Sequence, residues 1–227
     1  MISEIVTYLT ATLVIYYVAK WIYRRFPYVY LSPLLITPVI LVVLLLVTHS
    51  SYDSYNTGGA WLSKLLQPAT VAFAIPLYKN LQTLKKHVGE IVTSVLFGSL
   101  MAILSSVLLA RLMHLNVELA SSLAPRSVTT PIAMNVSQMV GGVPTITAVF
   151  VIMTGLLGAM IGPSMFKWLR IEGDIARGVL LGTSAHGTGT SKAFELNPLT
   201  GTISSISMIL AALFTLVAAP MLLGFLG

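Results

Sequence analysis

The sequence predicts an all-α polytopic membrane protein, and three observations lead to this prediction. Of its 227 residues, 56% are hydrophobic and 9% are charged, whereas a soluble domain usually carries about 25% charged residues. Long charge-free runs occur at Phe26–Tyr52, Ile91–Ala110, Ser127–Phe166 and Leu196–Gly227. These runs lack the period-2 alternation of a membrane β-strand. Instead, about 20 apolar residues in a helix can cross a bilayer with every backbone hydrogen bond satisfied.

Six spans follow from these runs, within a single transmembrane domain over residues 1–227. We place them at roughly 4–23, 31–49, 61–79, 87–111, 144–166 and 201–226. The first span ends in aromatic and basic residues between Lys20 and Arg25, which is typical of an anchor at the membrane interface. Because basic residues lie at the span ends, the net charge of +6 indicates membrane topology rather than nucleic-acid binding.

Two further segments, at roughly 124–142 and 178–193, do not fit simple spans. Both are nearly uncharged, yet they are rich in Ser, Thr, Gly and Pro. Lipid excludes irregular backbone, whereas the protein interior and water-filled cavities tolerate it. We therefore predict that both are re-entrant or broken-helix segments.

The positions of the basic residues agree with this prediction. Three clusters are present: Lys20, Arg24 and Arg25; Lys79, Lys85 and Lys86; and Lys167, Arg170 and Arg177. Cytoplasmic placement of all three requires an even number of crossings between neighbouring clusters. That condition holds only if segment 124–142 makes no net crossing, and it places both termini outside.

An internal repeat is a further hypothesis. A shift of 57 positions aligns residues 68–112 with 125–169 and gives eight identities in 45 pairs. The alignment pairs one proline-containing segment and span with another, as in transporters built from repeats.

The first polar segment contains the motif RSVTTP at 126–131. Its hydroxyl residues can cap a helix that begins near the proline, and a helix start within a membrane attracts anions. An ordinary cap at the membrane surface is the alternative. The amide side chains of Asn135 and Gln138, three residues apart, would lie on one face of this helix and extend its polar surface. The predicted substrate contacts here are Arg126, Ser127, Thr129, Thr130, Pro131, Asn135 and Gln138.

The second polar segment centres on His186, and eight of the ten residues at 182–191 are Gly, Ser or Thr. An ionisable residue within a membrane is a functional candidate, and a histidine can bind a carboxylate or relay a proton. Close helix packing through small residues is the alternative. The predicted contacts are Thr183, Ser184, His186, Thr188 and Thr190. Glu195 is a second proton-coupling candidate, although an ion pair with Lys192 is the favoured interpretation.

Other classes of function find no support in the sequence. The glycine-rich run does not end in Gly-Lys-Ser/Thr, so it does not predict nucleotide binding. Acidic residues and histidines do not have metal-ligand spacing, and no nucleophile motif surrounds Ser184. The sequence contains no cysteine, which excludes disulfides and thiol chemistry. From the motifs and spacings, we expect neither an enzyme nor a protein that depends on a metal or cofactor.

The same residues carry a family resemblance. SYDSY at 51–55, LLQPATVAFAIPLY at 65–78 and SVTTPIAM at 127–134 resemble the LrgB/CidB family. So do GGVPTITAVFVIMTGLLGAMIG at 141–162 and ARGVLLGTSAHGTGT at 176–190. The resemblance implies a single LrgB-like transmembrane domain in the bacterial cytoplasmic membrane. Because the chain is short and begins directly at the first span, we also expect no fused LrgA-like domain.

This resemblance implies two candidate functions. Bacterial members are described as holin/antiholin-like proteins that modulate murein hydrolase activity and lysis. A chloroplast relative resembles a glycolate/glycerate transporter, and related bacterial pairs are linked to pyruvate uptake. Two polar re-entrant segments suit a carrier better than a lesion-forming holin. We therefore expect alternating-access transport of glycolate, pyruvate or lactate-class monocarboxylates, with lysis regulation as the alternative.

The expected partners are the lipid bilayer, a small carboxylate substrate and an LrgA/CidA-like membrane protein. We also expect a homo-oligomer, most simply a dimer. Gly98, Gly155, Gly158 and Gly162 provide small helix faces that would allow two subunits to approach closely.

Overall fold

The computed structural model describes residues 2–26, 31–65, 68 and 74–226. Within these ranges the protein is all-α, as predicted, with eleven helices and no strand. The chain divides into two compact units, Met1–Ala74 and Ile75–Gly227. The prediction of a single domain over the whole chain stays a prediction.

The first unit contains helices α1 (Ile2–Arg25), α2 (Pro33–Val47) and α3 (Tyr52–Lys64). α1 packs against the other two. The Tyr8 ring meets the Tyr55 ring edge-on at 5.9 Å, and Thr12 Oγ1 lies 3.3 Å from Tyr55 Oη. Ser51 caps α3, because its side chain accepts a hydrogen bond of 3.1 Å from Ser54 N.

Eight further helices follow, and apart from Ala74 their residues belong to the second unit. They are α4 (Ala74–Lys79), α5 (Leu81–Lys86), α6 (Val88–Leu112), α7 (Val117–Leu123), α8 (Thr130–Met139), α9 (Pro144–Trp168), α10 (Asp174–Leu196) and α11 (Pro198–Leu226). Pro144 and Pro198 begin their helices, where a missing N–H costs nothing.

Four helices have the length and apolar composition to cross a membrane: Glu4–Arg25, Val88–Leu112, Pro144–Trp168 and Pro198–Gly224. They coincide with four of the predicted spans and confirm a multi-pass membrane protein. α2 lies in the predicted span 31–49 and has 15 residues, or about 22 Å of helix. It is therefore shorter than the hydrocarbon layer of a bilayer, which is about 30 Å thick. The predicted span at 61–79 lies partly outside the described residues, since 66–67 and 69–73 are not among them.

α6 and α11 run parallel. Near their starts, Ile91 packs with Ile203, and near their ends, Val107 packs with Ala219. α9 runs in the opposite direction. Phe166 in its last turn joins a core cluster with residues of α10, and α10 begins beside the starts of α6 and α11, since Ile175 packs against the cluster of Ile91 and Ile203. The end of the unit where α6 and α11 begin and α9 ends is called the basic end here, and the other end is called the far end.

α10 does not cross the unit. A straight helix of 23 residues would separate its ends by about 33 Å. Instead, Asn197 Nδ2 donates to Asp174 Oδ1 at 2.9 Å. The chain reverses at Ala185 (φ −130°, ψ 15°) and His186 (φ 40°, ψ −129°), and the backbone of Gly189 then packs against the Leu181 carbonyl with no room for a Cβ. Residues Asp174–Leu196, the second hairpin, thus enter and leave at the basic end, which confirms the predicted re-entrant segment.

α7, the turn at 124–129 and α8 form the first hairpin, residues 117–139. Its first and last residues line one far-end cavity together with Arg111 from the last turn of α6. Its turn reaches mid-length, where Val128 packs with Val151 of α9 and Ala212 of α11. The first hairpin therefore enters and leaves at the far end, as a segment with no net crossing must.

These elements fit the hypothesis of an internal repeat. α6 and α9 each have 25 residues, begin 56 positions apart and run in opposite directions. Each leads into a 23-residue hairpin that enters from the end where its helix finishes. The two hairpins begin 57 positions apart, close to the shift found in the sequence. Such a pair has the geometry of an inverted-topology repeat.

The two basic clusters of this unit lie at the basic end. Lys85 and Lys86 end α5 just before α6 begins, and Lys167 lies in the last turn of α9. Arg177 in the first turns of α10 donates from Nε to Ile171 O at 2.9 Å. By the positive-inside rule, the basic end is the one we expect to face the cytoplasm.

Candidate functional site

The tips of the two hairpins meet at mid-length of the second unit, and they do so around two separate cavities. Arg126 of the first tip and Ser184 of the second line one cavity. Their chain neighbours Ser127 and Thr183 line the other. Consecutive residues of each tip thus face different spaces, and the two cavities differ in polarity and access.

The first cavity is an open groove of about 350 Å³, called the Arg126 groove here. Half-buried Arg126 lies at its polar end, beside Ser184 and Thr154, while Leu157, Ile161 and Met165 of α9 form an apolar wall. Because successive α9 residues line it as far as Met165, the groove extends from mid-length toward the basic end. A cation and hydroxyls at one end of an apolar cleft suit a small carboxylate with an apolar tail.

The second cavity is a narrow space between the two tips, α6 and α11, called the hydroxyl cavity here. Its polar lining consists of four hydroxyl residues, Ser99, Ser127, Thr183 and Thr215. Ser99 belongs to α6, Thr215 belongs to α11, and the other two come from the tips. The space is too narrow to admit a water molecule, so no solvent reaches the hydroxyl residues through it.

His186 is buried at the second tip, and its ring faces α9. Nε2 lies 3.0 Å from Val151 O, and a carbonyl oxygen only accepts, so Nε2 carries a proton. His186 adopts a positive φ that favours glycine, and α9 approaches closely because Gly155 has no side chain. A Cβ at Gly155 would lie 2.7 Å from His186 Cε1 and from Thr188 Oγ1. His186 thus anchors the tip to α9 and lines neither of the two cavities above.

α8 begins where the sequence places it, with Pro131 in its first turn and Thr129 as N-cap. The Thr129 side chain makes no capping hydrogen bond, and Thr129 and Thr130 are half-buried beside the tip. Pro131, Asn135 and Gln138, in contrast, are exposed. The structure therefore does not bring the two predicted amides to the tips.

The buried polar residue of α8 is Ser137, which the sequence did not single out. Thr147 Oγ1 donates to Ser137 Oγ at 2.7 Å and also contacts Ser122 O at 3.0 Å. Ser122 Oγ in turn accepts from Val143 N at 2.7 Å. This network fastens the first hairpin to the start of α9. In the sequence, Ser122, Ser137 and Thr147 appear only as hydroxyl residues within apolar runs. Their hydrogen-bond partners in the structure are what identify them as a network.

The remaining predicted residues lie away from the groove. Thr190 is buried and bonds to Ser204 Oγ of α11 at 3.0 Å, which packs the second hairpin against that helix. Glu195 lies at the base of the hairpin and is exposed, where its carboxylate is 2.7 Å from Lys192 Nζ. Its position matches the interfacial ion pair that the sequence favoured. No cluster of three potential metal-ligating side chains occurs among residues 2–26, 31–65, 68 and 74–226.

The glycines proposed for subunit contact face the second hairpin of the same chain. Cβ atoms added at Gly98, Gly155, Gly158 and Gly162 would meet Thr183, His186, Ala185 and Leu181 respectively. Their small size is therefore explained by packing within the chain. The predicted homodimer stays a prediction and loses this support.

Comparisons with known proteins place the chain in context. Residues 12–225 match the LrgB-like family. Uncharacterized protein YwbG of Bacillus subtilis (strain 168) is 61% identical over 215 residues, which cover 95% of this chain and 96% of that protein. Holin-like protein CidB of Staphylococcus aureus (strain Mu50 / ATCC 700699) is 36% identical over 212 residues, or 93% of each chain. No solved structure matches the chain.

Proposed function

The chain belongs to the LrgB-like family, as its motifs suggested, and we propose that it is a secondary transporter of small monocarboxylates. It is a multi-pass bacterial membrane protein. The substrate class we propose is that of glycolate, pyruvate and lactate. The predicted absence of enzymatic activity stays a prediction.

The observation that carries this proposal is the Arg126 groove. A carboxylate within a membrane needs a matching charge, and Arg126 is the only charged residue among those that line the groove. Guanidinium can bind a carboxylate through two hydrogen bonds, and the Thr154 hydroxyl offers a further donor. The Ser184 hydroxyl already donates to the Leu180 carbonyl at 2.6 Å, so it adds polarity to the groove but no free donor. The apolar wall would contact the short carbon chain and exclude strongly hydrated anions.

The paired hairpins support alternating access. Transporters built from inverted repeats bind substrate near mid-membrane, where discontinuous helices from the two halves meet. In this protein the first hairpin enters from the far end and the second from the basic end, with Arg126 and Ser184 in a shared groove. Movement of the hairpins against α9 would open the groove to one end and then to the other.

A second candidate is a holin-like role in the control of lysis and murein hydrolase activity. The observation that favours it is the printed name of the Staphylococcus relatives, Holin-like protein CidB. These names support the holin-like role more directly than they support carboxylate transport. For either role we also propose a partner of the LrgA/CidA type, as the family relationship suggests.

Reconstitution distinguishes the two functions. Purified protein is placed in liposomes, alone and with a candidate partner, and uptake of labelled glycolate, pyruvate and lactate is measured beside release of an entrapped fluorescent dextran. Transport predicts saturable uptake of at least one acid without dextran release. Dextran release without saturable uptake would favour the holin-like role and contradict the transport proposal.

A further inference from the structure

We propose that the hydroxyl cavity is a binding site for one dehydrated sodium ion. Two of its hydroxyl oxygens, Ser99 Oγ and Thr183 Oγ1, are buried and have no hydrogen-bond partner among the described residues. Ser99 is 3% exposed and Thr183 is 7% exposed. A buried polar group without a partner is unfavourable, and native proteins contain few of them. Two in one small cavity point to a ligand.

The chemistry of the lining selects a hard cation. Ser99, Ser127, Thr183 and Thr215 present neutral hydroxyl oxygens, and hard cations prefer oxygen ligands. A hydroxyl that binds a cation still has its proton free to donate elsewhere. An anion would have no charged donor in this cavity, because Arg126 lines the groove instead.

Half-helix ends add a favourable potential. The first half of α10 ends at the second tip, and α7 ends at Leu123, with Ala124 as its C-cap. Ala124 and Thr183 both line the cavity, so two helix C-termini end at its wall. A helix C-terminus carries a partial negative charge, and such ends coordinate sodium in transporters with broken helices.

Size argues for sodium over potassium. The hydroxyl cavity is too narrow for a water molecule, so water cannot satisfy the two hydroxyls. A dehydrated sodium ion is smaller than a water molecule, whereas a potassium ion is about as large. The Thr183 side chain also packs closely against α6, since a Cβ added at Gly98 would lie 3.2 Å from its Cγ2.

A coupling role for this ion rests on the proposed transport of carboxylates. Arg126 and Ser184 line the groove while their chain neighbours Ser127 and Thr183 line the hydroxyl cavity, so both ligands would order the same two tips. The guanidinium charge disfavours a nearby cation until a carboxylate neutralises it. Each ligand should therefore tighten the binding of the other by the same factor.

The test measures cation binding without any carboxylate. The unfolding midpoint of the purified full-length chain in detergent is followed against NaCl or KCl at constant ionic strength, and direct binding of labelled sodium is measured in parallel. Sodium should raise the midpoint and potassium should not. Ser99→Ala and Thr183→Val should each weaken the apparent sodium affinity by roughly 10- to 100-fold, as expected for one lost contact to a charged group.

Two variants provide the controls. Ser207→Ala removes another buried hydroxyl without a partner among the described residues, from a residue outside the hydroxyl cavity lining, and should leave sodium affinity unchanged. Thr183→Ser keeps the hydroxyl and should retain most of the affinity. Equal responses to sodium and potassium, or equal losses in Ser207→Ala and Thr183→Val, would overturn the site. Sodium binding without carboxylate uptake would instead contradict the transport proposal and leave the site standing.

Discussion

Both hairpins reverse the chain at mid-length of the second unit, but their tips are built differently. The first reverses through a turn of six residues at 124–129 and places a permanent charge, Arg126, at mid-length. The second reverses at only two residues, Ala185 and His186, and does so with a histidine at a positive φ. The first tip thus carries a positive charge, and the second has a strained backbone. The two hairpins of the inverted pair therefore present different chemistry at their tips.

The partners of the two tips differ as well. The first hairpin is fastened by hydroxyls, through the network of Ser122, Ser137 and Thr147 near the far end. The second tip is fastened by one ring nitrogen on the Val151 carbonyl and by close approach to Gly155. We therefore expect loss of Arg126 to alter carboxylate binding, and loss of the contacts of His186 to alter stability.

The largest expected effect is at the charged tip. Arg126→Gln should weaken carboxylate binding by roughly 10- to 100-fold, because a hydrogen bond to a charged group contributes about 1.5–3 kcal/mol. The concentration dependence of carboxylate uptake into proteoliposomes measures this change. Arg111→Gln removes an arginine that lines a different cavity and should behave like the parent. Equal losses in the two variants would show that net charge matters and not the groove.

A somewhat smaller effect is expected where α9 meets the strained tip. Gly155→Ala places a methyl group 2.7 Å from His186 Cε1, and such overpacking costs about 1–3 kcal/mol of stability. The unfolding midpoint in detergent should fall. Gly187→Ala is the matched control, because a Cβ at that position meets nothing within 4 Å. A midpoint for Gly155→Ala equal to that of the control would mean that the tip is free of α9.

The side chain at the strained tip should contribute less. His186→Ala removes the bond to Val151 and should reduce stability by about 0.5–1.5 kcal/mol. His186→Gln retains an N–H donor and should lie closer to the parent. Both variants should keep more carboxylate affinity than Arg126→Gln, since His186 lines neither the groove nor the hydroxyl cavity. If His186 instead couples transport to protons, as the sequence predicts, His186→Gln should abolish the pH dependence of uptake.

The smallest effect is expected at the base of the second hairpin. Glu195→Gln breaks an exposed ion pair with Lys192, and such pairs contribute about 0–1 kcal/mol. Uptake and its pH profile should match those of the parent within error. A changed pH profile in this variant would restore Glu195 as a proton-coupling residue.

The sequence by itself determined four of the six predicted spans and the existence of both hairpins. A bilayer sets a fixed length of apolar helix, so Val88–Leu112, Pro144–Trp168 and Pro198–Gly224 were visible as hydropathic runs. Lipid also excludes irregular polar backbone, so segments rich in Ser, Gly and Pro had to turn back inside the protein. The positive-inside rule placed the basic clusters of the second unit at one end.

Only the tertiary structure decided which polar residues face which space. Hydropathy does not distinguish the buried side of a membrane helix from its lipid side when both are apolar, so Ser99 and Thr215 gave no signal within their spans. Asn135 and Gln138 share a helix face, but the packing of α8 turns that face outward. The division of Arg126 and Ser184 from Ser127 and Thr183 arises where two hairpins from opposite ends meet, and such a contact between distant segments has no signature along the chain.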